Sequence, residues 1–186
     1  GVDFQTVTVP DTVEGVITSR IDRLALPQQL TLKVASVIGR VFAFRLLRDV
    51  HPVAADKPQL ADYLAALHDL DLTALDTPDP NLAYIFKHII TQEVAYNLMT
   101  FAQRRDLHRA VGEWHEQSFA GDLASHYPIL AYHWSKTDEA AKAIDYLEKA
   151  GEQALVQYAN QEAVSFLGEA TRLAEGLQPP VLALRR

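Results

Sequence analysis

The residue best placed to do chemistry is His88, which lies where a predicted β-strand runs directly into a predicted helix. Residues 84–96 have the sequence Tyr-Ile-Phe-Lys-His-Ile-Ile-Thr-Gln-Glu-Val-Ala-Tyr. The free N–H groups and the positive dipole end at the start of a helix form a natural anion site, and an adjacent imidazole can add a hydrogen bond to phosphate. The alternative is a half-buried structural histidine at the end of a strand. The pattern therefore indicates either a phosphate sensor or a structural residue at position 88.

The remaining sequence has no pattern typical of a catalytic or metal site. It contains no Gly-rich phosphate loop, no serine in a nucleophile elbow and no cysteine. His108 and His115, like His126 and His133, are seven residues apart, whereas two metal ligands on one helix are usually three or four apart. We therefore expect no catalytic residue, no bound cofactor and no metal site, so the chain itself is not predicted to be an enzyme.

The composition is that of an ordinary soluble globular protein. Hydrophobic residues make up 48% and charged residues 22% of the chain, and charges interrupt the apolar runs well before the roughly 18 residues that a membrane span needs. No signal peptide is recognisable, and the absence of cysteine excludes disulfide bonds. A net charge of −7 gives no general attraction for nucleic acid or anionic lipid. These features predict a cytoplasmic protein without a membrane or nucleic-acid partner.

The chain has the features of a piece of a longer protein. Its only methionine is Met99, it begins at Gly1, and it ends shortly after Pro179 and Pro180. We therefore expect part of the parent protein's chemistry to lie in other segments.

Four helices are predicted in the first 70 residues. Residues 10–12 begin the first helix, and Pro27 begins a second helix that is apolar on nearly all sides and ends at Gly39. A short third helix is predicted over residues 42–50, and Lys57 with the following proline begins the fourth. The apolar face predicted for the first helix comprises Val13, Val16, Ile17, Ile21 and Leu24. The apolar stripe predicted for the fourth helix comprises Leu60, Tyr63, Leu64, Leu67 and Leu70.

A small β-hairpin is predicted next. Two short apolar segments, residues 72–76 and 82–86, flank a turn-rich link at residues 77–81. Helices followed by one hairpin and a further helix are typical of a winged-helix domain. The sequence thus predicts a mainly α fold with a winged-helix domain over residues 1–98.

Residues 99–186 contain only helical patterns. The segment 143–150 is repeated in similar form at 163–170, with small residues where two helices would approach closely. The expected helix contacts are Leu147, Ala150, Gly151, Ala154, Ala163, Leu167 and Ala170. This spacing predicts a tetratricopeptide-like α-helical array, of which this chain would hold the start. An ordinary amphipathic helical bundle is the alternative.

Two charge patterns bear on partners. The helix that would read DNA, residues 57–71, carries one lysine against Asp62, Asp69 and Asp71, so an acidic surface would face the phosphates. Arg104, Arg105, His108 and Arg109 form the one dense basic cluster. That cluster indicates either a solvated helix face or a contact with a domain or partner.

Four blocks of the chain resemble the region that follows the ATPase core in bacterial signalling ATPases. This family joins a STAND-type P-loop ATPase to a class III adenylate or guanylate cyclase domain, or to another effector, and to a tetratricopeptide-like tail. The similarity extends over residues 9–175, and the blocks occur in the family's order. They are residues 9–24, 32–42, 86–96 and 105–108.

The resemblance implies a winged-helix domain that packs on an upstream ATPase core and a helical array that binds a partner. In related STAND proteins, such as plant resistance proteins and the apoptosome scaffold, the histidine of a Met-His-Asp motif contacts the β-phosphate of bound ADP. Here Lys87-His88-Ile89 matches that motif only at His88. His88 is thus the candidate ADP contact in the full-length protein. ATP or ADP is expected in the parent protein and not in this chain, which lacks Walker elements.

The leading hypothesis from the sequence is a non-catalytic regulatory module of a multidomain signalling ATPase, with a cyclase as the expected effector. It would relay the nucleotide state of the ATPase core to the helical array. The alternative is the central region of a large ATP-binding transcription regulator whose DNA-binding domain lies outside this chain. A third hypothesis is a plain tetratricopeptide-like adaptor without nucleotide coupling.

Overall fold

The computed structural model of the chain describes residues 12–177, and within them the fold is mainly α-helical with one small antiparallel sheet. The prediction of a mainly α fold is confirmed. The chain divides into two compact units between Arg104 and Arg105, named unit 1 and unit 2 here. The domain types predicted for residues 1–98 and 99–186 stay predictions.

Unit 1 is built around one helix whose second half is almost wholly buried. Its elements are α1 (Thr12–Asp22), α2 (Leu26–Ile38), β1 (Val41–Ala43), α3 (Phe44–Val50), a 3-10 helix (Ala54–Gln59), α4 (Leu60–Asp69), β2 (Thr73–Thr77), β3 (Ala83–Phe86) and α5 (Ile89–Asn97). The central helix is α2, which packs against α3, α4 and α5 and buries Leu32 and Val34 completely. Gly39 ends α2 as predicted, with a φ of 146° that a side chain would strongly disfavour.

The sheet has three strands, one more than the predicted hairpin. β3 lies in the middle and pairs antiparallel with β2, as predicted, and also with β1. The prediction of one helix over residues 42–50 was wrong at its start, because Val41–Ala43 form β1 and α3 begins at Phe44. Val41 and Phe42 both favour extended backbone, and the buried ring of Phe42 lies 5.5 Å from that of Phe86.

Only part of the predicted apolar face of α1 is buried. Ile17, Ile21 and Leu24 lie in the core, as predicted. Val13 and Val16 were wrongly predicted to join them, since they are 65% and 57% exposed. The predicted helix start at residues 10 and 11 lies outside the described residues. The outward valines give α1 an apolar face that the described part of unit 1 leaves uncovered.

Unit 2 is a succession of helices. They are α6 (Phe101–Ser118), which begins in unit 1, a 3-10 turn (Ala124–His126), α7 (Tyr127–Ser135), α8 (Ala140–Val156) and α9 (Asn160–Leu177). α7 packs on α8 and α8 packs on α9. The small residues predicted to lie between helices are buried, including Ala150, Ala154, Ala163 and Ala170. Leu130, Trp134 and Leu147 supply the large side chains of this core.

Candidate anion-binding groove

His88 lies at the junction of β3 and α5, where the sequence placed it. β3 ends at Phe86 and α5 begins at Ile89, with His88 as the extended residue that precedes the first turn. Its carbonyl oxygen accepts a hydrogen bond of 3.0 Å from the backbone N–H of Thr91. No side chain caps this helix, and the His88 side chain is exposed. The ring can therefore reach a ligand in solvent beside the start of α5.

The His88 side chain faces a groove between α1 and the start of α5. The groove has a volume of about 580 Å³. Its walls are formed by Val13, Val16, Ile17, Arg20, Arg40, Lys87, His88, Ile89, Ile90 and Thr91. We call this feature the α1–α5 groove. Its apolar wall includes the exposed side chains of Val13, Val16 and Ile89.

The charged residues that line the α1–α5 groove are all basic. Lys87 forms an ion pair with Asp71, and a terminal guanidinium nitrogen of Arg20 donates a hydrogen bond to the carbonyl oxygen of Leu70. These contacts fix both side chains near the end of α4. Arg40 is exposed, and its side chain has no partner among the described residues. A negatively charged group entering the groove would thus meet one uncommitted guanidinium and two tethered cations.

The carboxyl group of Asp71 lies among positive charges at this edge of unit 1. The hydrogen bond and positive charge of Lys87 lower the pKa of the Asp71 carboxyl, and Arg20 and His88 lower it further. Asp71 has a φ of 63°, a left-handed conformation that aspartate tolerates better than most residues. The site therefore stabilises negative charge, although the net charge of the whole chain is −7.

The helix predicted to face DNA keeps its acidic character in the structure. α4 runs from Leu60 to Asp69, while Lys57 lies in the preceding 3-10 helix rather than in α4 as predicted. Leu60, Leu64 and Leu67 are fully buried, and the exposed side carries Asp62 and Asp69. Phosphate would be repelled from this face.

The predicted basic cluster is not a single solvated face. Arg105 and Arg109 form ion pairs with Asp138 in unit 2, and Arg105 also pairs with its neighbour Asp106. The expectation of a solvated side chain was wrong for His108, which is completely buried. It packs against His133 of α7, and sequence reasoning did not predict this contact. The available signal was the spacing of seven between His108 and His115, which places both on one face of α6.

No group of three or more His, Asp or Glu side chains between residues 12 and 177 has a geometry that could hold a metal ion. Over the same residues, no helix is both long and apolar enough to cross a membrane. Comparison of the chain with protein-family models, with curated proteins and with solved structures finds no significant match.

Proposed function

We propose that this chain is a non-catalytic regulatory module of a multidomain signalling ATPase, in which unit 1 docks on an ATPase core and unit 2 binds a protein partner. The expected parent protein is cytoplasmic, contains a P-loop ATPase that binds ATP or ADP, and carries an adenylate or guanylate cyclase as effector. The single observation that carries the proposal is the exposed His88 at the start of α5, in a groove whose charged lining residues are all basic.

The order of elements in unit 1 supports the assignment as a winged-helix domain. One strand, β1, lies between α2 and α3, and two further strands follow α4. The last strand, β3, takes the middle of the sheet between β1 and β2. Since the acidic face of α4 opposes binding to phosphate, we assign this domain a protein-docking role instead of a DNA-binding role.

The α1–α5 groove combines the two properties that docking on a nucleotide-binding core requires. Val13, Val16 and Ile89 offer apolar area that a partner surface can cover. Arg40 and His88 offer hydrogen-bond donors to phosphate oxygens at the edge of that area. Docking would therefore be strongest when a phosphate of the core-bound nucleotide comes to lie beside His88.

This geometry supports a two-state mechanism. ADP held between the core and unit 1 would favour the docked state, because only that state has the contact between the imidazole and the β-phosphate. Loss of that contact would favour the undocked state and change which surfaces of the parent protein are available to the effector. Without the core, the chain has a single weak anchoring point for ADP and is expected to bind it poorly.

Docking can be measured with the chain and the ATPase core encoded upstream of it, produced as separate polypeptides. We expect the two to associate more tightly with ADP than without nucleotide, as measured by calorimetry. Val16→Asp removes apolar area from the wall of the groove and places a carboxylate among its cations, where it competes with the phosphate of the nucleotide, so association should weaken at least about tenfold. Val164→Asp on α9 is the matched control, since Val164 is also an exposed helical valine, 74% exposed.

Equal association of wild type, Val16→Asp and Val164→Asp would contradict docking through this groove.

The coding sequence on either side of the chain tests the choice of parent protein. A P-loop upstream together with a cyclase domain supports the proposal. A terminal helix-turn-helix domain would favour the transcription-regulator alternative, and absence of a P-loop would favour the adaptor.

A further inference from the structure

Four histidine rings meet inside unit 2. His108 and His115 lie on α6, His126 ends the 3-10 turn, and His133 lies on α7. The side chains of His108, His133 and His115 are buried, with relative exposures of 0%, 1% and 6%. The ring centre of His115 lies 6.4 Å from that of His133 and 5.3 Å from that of His126. We call these four residues the histidine cluster.

Hydrogen bonding in the histidine cluster favours neutral imidazoles. The Nδ1 atoms of His108 and His133 lie 2.9 Å apart, so one must carry the proton and donate it to the lone pair of the other. Both ring nitrogens of His115 and the Nε2 atom of His133 are buried without a hydrogen-bond partner. A proton added to any of these three nitrogens would create a buried charge with no acceptor beside it.

The cluster lies at the contact between α6 and α7, beside the main core of unit 2. That core joins α7, α8 and α9 through Leu130, Trp134, Leu147, Ala150 and Ala170, and it contains no histidine. The contact from α6 to α7 includes imidazole rings and the close approach of Trp134 to the backbone at Gly112. Charging the imidazoles would therefore weaken one helix contact and leave the others intact.

We propose that the histidine cluster is a proton-operated latch, which holds α6 against α7 while its rings are neutral and releases that contact in mild acid. The proposal does not depend on the function assigned to unit 1. It makes the surface that unit 2 offers to a partner responsive to pH.

Burial and the neighbouring rings both oppose protonation of His115 and His133. Burial lowers the pKa of His133 well below the usual range for histidine, and the rings of His108 and His115 lower it further. Burial also lowers the pKa of His115 to about 4, with a further contribution from His126. Once α6 and α7 separate, water solvates the rings of His115 and His133, and the pKa values of these two residues return towards 6.5.

Several charged groups on the surrounding helices form ion pairs of their own. On α6, Arg109 pairs with Asp138 and Glu139, which precede α8. Glu116 of α6 accepts hydrogen bonds from Lys142 of α8. These ion pairs lie between α6 and the start of α8, outside the contact between the rings of α6 and α7.

The direction in which pH changes the opening equilibrium follows from the difference between the closed-state and open-state pKa values of the histidines. Both His115 and His133 have lowered pKa values in the closed state, so the closed state is fully favoured above pH 6.5 and loses stability as the pH falls towards their folded values. His115 alone, with a closed-state pKa of about 4 against 6.5, raises the opening equilibrium constant roughly 30-fold between pH 7.5 and pH 5. His133 adds to this factor.

Amide hydrogen exchange of the whole chain, corrected for the intrinsic pH dependence of exchange, tests the latch. From pH 7.5 to pH 5 we expect the protection of backbone amides in α6 and α7 to fall by at least about tenfold. The protection of amides in α8 and α9 should stay unchanged. The wild-type protein is sufficient for this test. Equal loss of protection in α6, α7, α8 and α9, or no loss in α6 and α7, would overturn the proposal.

His115→Phe supplies the matched variant. Its ring is similar in shape, can stack on Phe119 and loses no hydrogen bond, because neither nitrogen of His115 has a partner. This variant should keep α6 and α7 protected at pH 5 about tenfold better than wild type. His68→Gln removes an exposed histidine of unit 1 and should behave as wild type. The proposal is overturned if His115→Phe and wild type open alike as the pH falls.

Discussion

Leu167 of α9 fills the space directly above the backbone of Gly151 on α8. A Cβ atom on Gly151 would lie 2.6 Å from Leu167 Cγ, far inside van der Waals contact. The two helices can therefore approach this closely only because Gly151 has no side chain. The repeat at residues 143–150 and 163–170 reflects this packing, since both segments bury their alanines between the helices.

Gly151→Ala should lower the free energy of unfolding of unit 2. Overpacking costs about 1–3 kcal/mol, which exceeds the roughly 0.5–1 kcal/mol that alanine contributes through helix propensity. Urea unfolding followed by tryptophan fluorescence measures the change, because Trp114 and Trp134 both lie in unit 2. Gly168→Ala on α9 is the control, since a Cβ there meets nothing within 4 Å and should stabilise the helix. Stabilisation by both substitutions would contradict the close approach.

Tyr146→Phe should weaken the contact between α8 and α6. The Tyr146 hydroxyl donates a hydrogen bond of 2.9 Å to Glu116, and burial together with that carboxylate raises the pKa of the tyrosine. Loss of this bond should lower the free energy of unfolding by about 1.5 kcal/mol. Tyr158→Phe, at a tyrosine that is 88% exposed, should change it by less than about 0.5 kcal/mol. Similar effects of the two substitutions in urea unfolding would argue against the bond.

Acid should destabilise unit 1 through His51. This side chain is 2% exposed, and burial lowers its pKa despite a hydrogen bond to the carbonyl oxygen of Val53. Because the folded pKa lies below the unfolded value of about 6.5, stability is full above that pH and falls as the pH decreases below it. Amide exchange in α2 and α3 should thus accelerate between pH 7.5 and 5, and His51→Gln should reduce the acceleration. An identical acceleration in wild type and His51→Gln would exclude His51 as the cause.

Local sequence patterns predicted the elements that depend on neighbouring residues. The apolar run in α2 and the change from strand to helix at His88 are properties of short segments, and both predictions are confirmed. The strand at Val41–Ala43 was missed because it is fixed by pairing with β3, more than 40 residues later. Helical periodicity showed that Val13 and Val16 are on an apolar face, but it could not show that both side chains are exposed rather than in the core.

The two candidate sites, the α1–α5 groove and the histidine cluster, also differ in how far the sequence could predict them. His88 could be singled out from its own segment, while the two arginines that line the same groove come from α1 (Arg20) and from the residues that follow α2 (Arg40). The histidine cluster could not be predicted as a unit, because His108 and His133 meet only when α6 packs on α7. Periodicity gives the face of each helix on which a histidine lies, and tertiary packing decides which faces meet.

The most direct test of the proposed function is the rate at which ADP leaves the full-length protein that contains this chain and its upstream ATPase core. A hydrogen bond from His88 to a phosphate is worth about 1.5–3 kcal/mol, so His88→Ala should speed ADP release roughly 10- to 100-fold. His68→Ala, at another exposed histidine of unit 1, should leave the rate unchanged. Equal ADP release from wild type, His88→Ala and His68→Ala would contradict the assignment of His88 as the nucleotide contact.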